Sequence, residues 1–287
     1  MLRLGAHMSI AGGLEKAFDR AQQVESDAVQ IFTANQRQWK ERVISSEEAE
    51  LFRDRQQECG IEPVVSHNSY LVNMASPKDD LWEKSIDAQR GELERCELLG
   101  IPYVVAHPGA HTGSGRDTGL QRIIAALDRL HDDLPGYEVI TLLETTAGQG
   151  TSIGGAFEDL ADIMKGVASP ERVGVCFDTC HVFVAGYDCR DETSYQETMA
   201  QFDEIVGISS IKAFHFNDSK GELGSHRDRH EYIGQGEIGP DGFRNFMNDE
   251  RLKGLPALLE TDKSDDLHED REAIELLRSL VGKPAPA

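Results

Sequence analysis

The stretch VGVCFDTCHVFVAGYD, Val173 to Asp188, decides how this chain is read. It opens as a short β-branched and apolar run, 173–178, ends that run on a carboxylate, and then carries Cys180 and His181. Working outward, seven more runs bounded by turn residues read as strands: RLGAH (3–7), AVQIF (28–32), PVVSH (63–67), YVVAH (103–107), VITLLE (139–144), IKAFHF (211–216) and PALLE (256–260). Helical patterns alternate with them. In GLEKAFDRAQQV (13–24), Leu14, Ala17, Phe18, Ala21 and Val24 share one face. A second helix opens on the capping-box pair Ser45 and Glu48. Others are expected near 80–99, 118–131, 157–166, 193–206, 240–249 and 268–281, with Gly100 and Gly282 where a helix end favours a left-handed residue. Strand and helix alternate eight times with no Pro- or Ser-rich linker, and 287 residues is a usual length for a (β/α)8 TIM barrel. The expectation is an α/β chain forming one such barrel domain over 1–287. An open doubly wound sheet is the alternative, but no strand is followed by a Gly-rich dinucleotide fingerprint.

What ends each strand carries the chemistry. Strand three ends at His67, four at His107, five at Glu144, six at Asp178 and eight at Glu260, and His215 stands near the end of seven. In a parallel barrel these positions share the carboxyl-terminal rim, where such barrels hold their active sites. One such residue alone would more often be a hydrogen-bonded polar group. Six together, three of them carboxylates, would repel one another without a metal. Period-two alternation gives Cys176 the same facing as Asp178, one layer deeper, and puts Cys180 in the turn.

Five cysteines, at 59, 96, 176, 180 and 189, are odd in number and scattered, so reduced, buried thiols are expected rather than a disulfide framework. His181 lies three residues past Asp178, already in a loop, and fits a different metal better. The loop after strand seven is long and glycine-rich, which favours a functional role. In it Asp228 and His230 stand two apart, so an extended backbone would turn both to one side. Strands six and seven are neighbours, so His181 can join Asp228 and His230 in a separate three-ligand site; spacing leaves His226, of the same parity, as an alternative. The set is nine ligands, five imidazoles and four carboxylates. It suits two or three metals, zinc by preference and manganese or iron by the same chemistry, with Glu144 on the middle strand as the natural bridge.

The formal charge of −22 should repel nucleic acid unless a local field overrides it. Three divalent cations outweigh Glu144, Asp178, Asp228 and Glu260 and leave the pit at about +2, suited to a phosphate. The acidity, with arginine supplying most of the basic residues, also fits a high-salt cytoplasm. No apolar run approaches the ~18 residues that span a bilayer. The start, MLRLGAHMSI, lacks a secretory layout, so a cytoplasmic location without membrane contact is expected.

The chain resembles the endonuclease IV family of apurinic/apyrimidinic endonucleases over nearly its whole length. The motifs are GAHMSIAGG (5–13), FTANQRQW (32–39), HNSYL (67–71), HPGAH (107–111), LLETTAGQG (142–150), the opening stretch, HFND with DRH (215–218 and 228–230), IGQGEIG (233–239) and LLET (258–261). The resemblance implies three zinc ions per chain. His67, His107 and Glu144 would hold one; Glu144, Asp178, His215 and Glu260 a second; and His181, Asp228 and His230 a third. It implies base-excision repair of double-stranded DNA at the nucleoid, by a monomer, through hydrolysis on the 5′ side of an abasic site by a metal-bound hydroxide. The products would be a 3′-hydroxyl and a 5′-deoxyribose phosphate, and blocked 3′ ends would also be trimmed. Glu144 and Glu260 would position metals and nucleophile. Gln36, Arg37 and Gln38 lie in the loop after strand two and Tyr70 after strand three; the resemblance gives Arg37 and Tyr70 the insertion into the base stack. Relatives often carry lysine at the place of Ala34 and aspartate at that of Asn68. His7, His111 and Asn217 lie on the same rim as candidates for orienting ligands, whereas His131 and His268 read as exposed helix residues.

Two other classes fit the fold. A sugar isomerase of the xylose isomerase type would use two metals, carboxylate-dominated sites and a catalytic lysine, for which Lys220 is the nearest candidate. A lesion-binding protein stabilised by its metals would bind without turnover.

Overall fold

The computed structural model describes residues 1–40 and 42–282. Eight parallel strands close into a barrel: β1 (Arg3–His7), β2 (Ala28–Ile31), β3 (Val64–His67), β4 (Tyr103–Ala106), β5 (Ile140–Glu144), β6 (Val173–Asp178), β7 (Ile211–His215) and β10 (Pro256–Leu259). The order around it is β1-β10-β7-β6-β5-β4-β3-β2. Between β7 and β10 lies a small antiparallel ladder of β8 (Asp218–Ser219) and β9 (His230–Glu231), which strand periodicity did not reveal.

Helices α1 (Lys16–Gln23), α2 (Ser46–Cys59), α3 (Asp79–Leu99), α4 (Arg116–Asp133), α5 (Phe157–Gly166), α7 (Glu192–Ile205), α8 (Gly239–Asn248) and α9 (His268–Ser279) follow the expected patterns to within three residues at either end. The capping box at Ser45 is made in both directions, each bond 3.2 Å, and Gly60 and Gly100 close α2 and α3 at φ 64° and 73°. The unexpected helix is α6 (Thr179–Ala185), directly after β6. Cys180 and His181 therefore lie on a helix rather than in a turn or loop. Asp178 caps it, accepting the His181 amide at 2.8 Å.

Each strand is buried on both faces, so its apolar run is nearly continuous. Outward-facing residues pack under the helices; Phe177 and Phe214, for example, meet Phe202 of α7 and Phe246 of α8 at centroid distances of 5.5–6.0 Å. Burying each such ring contributes roughly 1.5–3 kcal/mol. Inside the barrel one apolar layer consists of Ala28, Val65, Val105, Leu142, Cys176, Ala213 and Leu258. The eighth strand contributes Gly5 at that level, in register with Ala28 and Leu258. A Cβ at Gly5 would collide with the Ala28 carbonyl. Cys176 thus sits one layer below Asp178, as alternation predicted. His131, read as exposed, is in fact buried at the end of α4, where the Arg172 guanidinium covers the chain turn by bonding the Leu134 carbonyl at 3.0 Å.

With 51 acidic residues against 29 basic ones, at least 22 carboxylates (51 − 29) have no lysine or arginine of their own. We expect the melting temperature to rise on going from low salt to about 1 M KCl, as screening weakens their repulsion. A flat or falling melting temperature in a salt series would remove self-repulsion as a factor in the stability of the fold.

Candidate metal centre

Two residues beyond every member of the inner layer, on the same face of its strand, stands a polar side chain: His7, Gln30, His67, His107, Glu144, Asp178, His215 and Glu260. Alternation on a parallel sheet delivers all eight to one rim. Seven of them surround Glu144 or connect to it. Its Oε2 lies 2.9 Å from His107 Nε2 and 3.4 Å from His67 Nε2. Its Oε1 lies 2.9 Å from His215 Nδ1 and 3.4 Å from His181 Nδ1. The two oxygens of one carboxylate thus face two different sets of nitrogens. Glu260 approaches His215 Nδ1 at 3.1 Å, and Asp178 does so at 3.8 Å.

Three of the expected ligands come from beyond the barrel strands and their ends. His181 is held on α6 by Asp178. Asp228 and His230 come from the long loop after β7, with Asp228 3.2 Å from His181 Nε2 and 3.4 Å from His230 Nε2. His230 also approaches Asp178 at 3.8 Å, and Asp178, His181 and His230 form a compact group of their own. His226 takes no part: its φ is 53°, and its ring bonds the Ala147 carbonyl at 2.8 Å. Between the two residues that spacing left open, Asp228 is the one that reaches the pit. Cys180 Sγ lies near Asp228 and His230, but burial pushes its thiol up to about 12, so the protonated form persists.

The rings are oriented from behind. His67 and His181 donate Nδ1–H to the carbonyls of Asn68 (2.7 Å) and Thr145 (2.8 Å), leaving Nε2 free to face the pit. His215 is reversed: Nε2 meets Gln30 Oε1 at 2.8 Å, and Nδ1 faces the carboxylates. Gln30 also donates to Glu260 Oε1 at 2.6 Å and approaches His7 at 3.0 Å. Asn217 donates to Asp178 Oδ2 at 2.7 Å, while its own Oδ1 accepts the Glu260 amide at 3.1 Å. Of the rim residues expected to orient ligands, Asn217 touches Asp178 and Glu260 directly and His7 reaches the set only through Gln30; the His111 ring instead accepts the amides of Gly113 and Gly115 in its own loop. Gln30 escaped notice in the sequence, although a lone amide inside the apolar run AVQIF, two residues past Ala28, was the available sign. We expect Gln30→Ala to lower turnover by about 10- to 100-fold with the fold intact. Wild-type rates in that variant would show that Gln30 only fills space.

Electrostatics in the pit are set by imidazoles and carboxylates acting on one another. Burial alone would lower the pKa of His107, His181 and His215, but their neighbours override it and raise all three: Glu144 at His107, Asp178, Asp228 and Glu144 at His181, and Cys176, Glu260 and Glu144 at His215. Burial would raise Glu144, yet His107 and His215 hold it well below the usual carboxylate range. Asp228 and Glu260, likewise opposed by burial, are drawn down to about 2, chiefly by His181 and His215 respectively. Asp178 is raised by its burial. Within the pit, Glu144 Oε2 and His230 Nε2 are buried without a hydrogen bond of good geometry, Oε2 despite its closeness to His107 Nε2. Orphaned donor atoms among imidazoles and carboxylates are what a metal ligand set presents, so these residues fit divalent cations.

The floor is closed and the mouth is open. Glu144, Asp178 and His215 are at most 1% exposed, whereas Asp228 and Tyr70 reach solvent. Tyr70 stands over the pit with its ring 5.3 Å from that of His67 and 6.0 Å from that of His107. Arg37 is exposed in the neighbouring loop, which is fastened to the Tyr70 loop by Ser69 Oγ donating to the Gln36 carbonyl at 2.8 Å.

Fold and pit together define a xylose isomerase-like barrel with histidine–carboxylate clusters at its rim that could hold metal ions. Residues 18–280 match the family described as xylose isomerase-like TIM barrel. A probable endonuclease 4 of Chloroflexus aurantiacus is 53% identical over 281 residues, covering 98% of this chain and 99% of that protein. The crystal structure of endonuclease IV from Thermus thermophilus superposes with a TM-score of 0.86 at 36% identity, covering 97% of this chain and 98% of that one. A D-tagatose 3-epimerase-like protein, with a TM-score of 0.75 at 20% identity, shares the fold. The chain belongs to the endonuclease IV family, and with it is an endonuclease of DNA repair.

Proposed function

We propose that this endonuclease incises duplex DNA at abasic sites, hydrolysing the phosphodiester on the 5′ side to leave a 3′-hydroxyl and a 5′-deoxyribose phosphate, and that it trims blocked 3′ ends. Three divalent ions serve the reaction, zinc by ligand chemistry, with manganese accepted at one or more positions. The observation that carries this reading is the division of Glu144, one oxygen toward His67 and His107 and the other toward His215. His67, His107 and Glu144 would hold one ion, Glu144, Asp178, His215 and Glu260 the second, and His181, Asp228 and His230 the third. Bound there, the ions supply Lewis-acid stabilisation of a phosphoryl group and lower the pKa of bound water toward ~7.

The chain itself supplies the rest. Glu144 and Glu260 hold the geometry around the reacting phosphate, and the buried floor excludes bulk water. Arg37 and Tyr70, with Gln36 beside them, enter the base stack and fill the gap left by a turned-out nucleotide. Local positive charge at the loaded centre offsets the global −22 for a polyanionic substrate. The chain acts as a monomer in the cytoplasm, at the nucleoid. A sugar-isomerase reading lacks its lysine: Lys220 is exposed and faces Glu231 at 3.8 Å.

Incision of a duplex carrying one abasic site, with and without prolonged chelation and zinc add-back, tests the proposal. Cleavage to a 3′-hydroxyl product is expected, abolished by chelation and restored by zinc. Tight lesion binding with no cleavage under any metal would instead identify a lesion-binding protein.

A further inference from the structure

The motif IGQGEIG (233–239) has no role in the centre described above, although it lies in the loop that delivers Asp228 and His230. What gathers that loop is Asp218. This aspartate is fully buried. Its carboxylate accepts the backbone amides of Ser219 (2.8 Å), Gly234 (2.9 Å), Gly236 (3.0 Å), Ile238 (3.0 Å) and Gly239 (3.3 Å to the nearer oxygen). Convergent N–H groups of this kind form an anion-binding concavity, here filled by the chain's own side chain.

The glycines of the motif answer to that geometry. Gly234 and Gly239 have φ of 79° and 69°, which a side chain rarely tolerates. At Gly236, a Cβ would collide with the Ser219 carbonyl oxygen and press on the Asp218 carboxylate. The same aspartate begins β8, whose ladder with β9 sets Ser219 opposite His230. Lys220 donates its amide to the Arg229 carbonyl at 2.9 Å, and Glu237 donates to the Ser219 carbonyl at 2.8 Å. One buried carboxylate therefore collects residues 234–239 at one end of the loop and roots the ladder that places His230, with Asp228 two residues before it.

We propose that Asp218 is a positioning residue for the site made by His181, Asp228 and His230: by binding the amides of IGQGEIG it folds the loop that brings two of the three ligands to the pit. The inference rests on the three-metal reading, but its first readout is independent of metal. Hydrogen exchange of the chelated full-length protein would compare wild type with Asp218→Asn, which turns an amide N–H₂ toward backbone donors, and with Gly236→Ala, which crowds the same nest from the other side. Peptides covering 216–239 are expected to exchange at least about tenfold faster in both variants, while those from β5 and β6 keep wild-type protection.

Elemental analysis after zinc loading should then show one ion fewer per chain in each variant than in wild type, the others being retained. Wild-type exchange with a full metal complement in Asp218→Asn overturns the proposal. So does accelerated exchange throughout the barrel, which would make Asp218 a general stability residue. If Asp218→Asn does not fold, Gly236→Ala decides by the same two readouts. A wild-type protein that takes up fewer than three ions would sink the three-metal reading and leave the exchange result to judge the role of Asp218 in folding the loop.

Discussion

Glu144→Gln should lower abasic-site incision by on the order of a thousandfold or more while leaving a folded barrel. The substitution is nearly isosteric, so the inner layer beneath it, from Leu142 to Cys176, keeps its packing. What changes is the donor set. In the wild type one oxygen faces His67 and His107 and the other faces His215 and His181. An amide keeps one acceptor and turns an N–H₂ group toward one of those imidazole pairs, and it removes the buried charge that raises His107 and adds to the raising of His215 by Cys176 and Glu260. Both sites proposed to share Glu144 lose a ligand in one step. Single-turnover incision under excess enzyme, beside metal content, measures the effect. A variant within about tenfold of wild type with its metals retained would show that Glu144 does not bridge.

The fold was legible because strand and helix periodicity agree over the whole chain. The rim was legible for the same reason. Once His67, His107, Glu144, Asp178, His215 and Glu260 are placed at or just beyond strand ends, barrel geometry brings them together whatever the loops do. His107 and Glu260 in fact stand one residue past β4 and β10, which alters their assignment and not their facing.

Local sequence was weaker where tertiary contacts decide. Cys180 reads as a turn residue and His181 as a loop residue, yet α6 forms there because Asp178 caps it and because its residues Thr179–Val184 are buried. A seven-residue helix of this composition is marginal by propensity alone and owes its existence to packing. The choice between His226 and Asp228 was likewise invisible to spacing, since it depends on a bond from His226 to Ala147, 79 residues away. His131 looked exposed because helical position was read without the neighbouring Arg172. Gln30 was passed over because an amide draws less attention than an imidazole or a carboxylate, although the same alternation that marks His67 marks it too.

Removing the metals should lower the melting temperature by tens of degrees and reverse the sign of its dependence on pH. Each ion bound at a thousandfold excess over its dissociation constant stabilises by about 4 kcal/mol, and each kcal/mol is about 2–4 °C in a chain of this size. In the metal-free protein, His181 and His215 have raised pKa values, so the stability they contribute is fully present below the ordinary ~6.5 and is lost as pH rises through the raised values. Asp228 and Glu260, drawn down to about 2, contribute stability that is present above the ordinary carboxylate value of ~4 and lost as pH falls through about 2. Asp178, raised by burial, subtracts from this near neutrality. His7, lowered to about 3 by burial, opposes the gain below ~6.5, but above it the raised imidazoles decide, so the chelated protein should soften from about pH 6.5 toward pH 9. Metal binding needs unprotonated imidazole and releases the protons that hold the empty pit together, so the loaded protein should gain stability over the same upper interval. Thermal melts at pH 6, 7.5 and 9, with chelator and with zinc, test both slopes. Parallel slopes would mean that cations do not replace the protons on His181 and His215, and would leave the carboxylates of the pit to be balanced some other way.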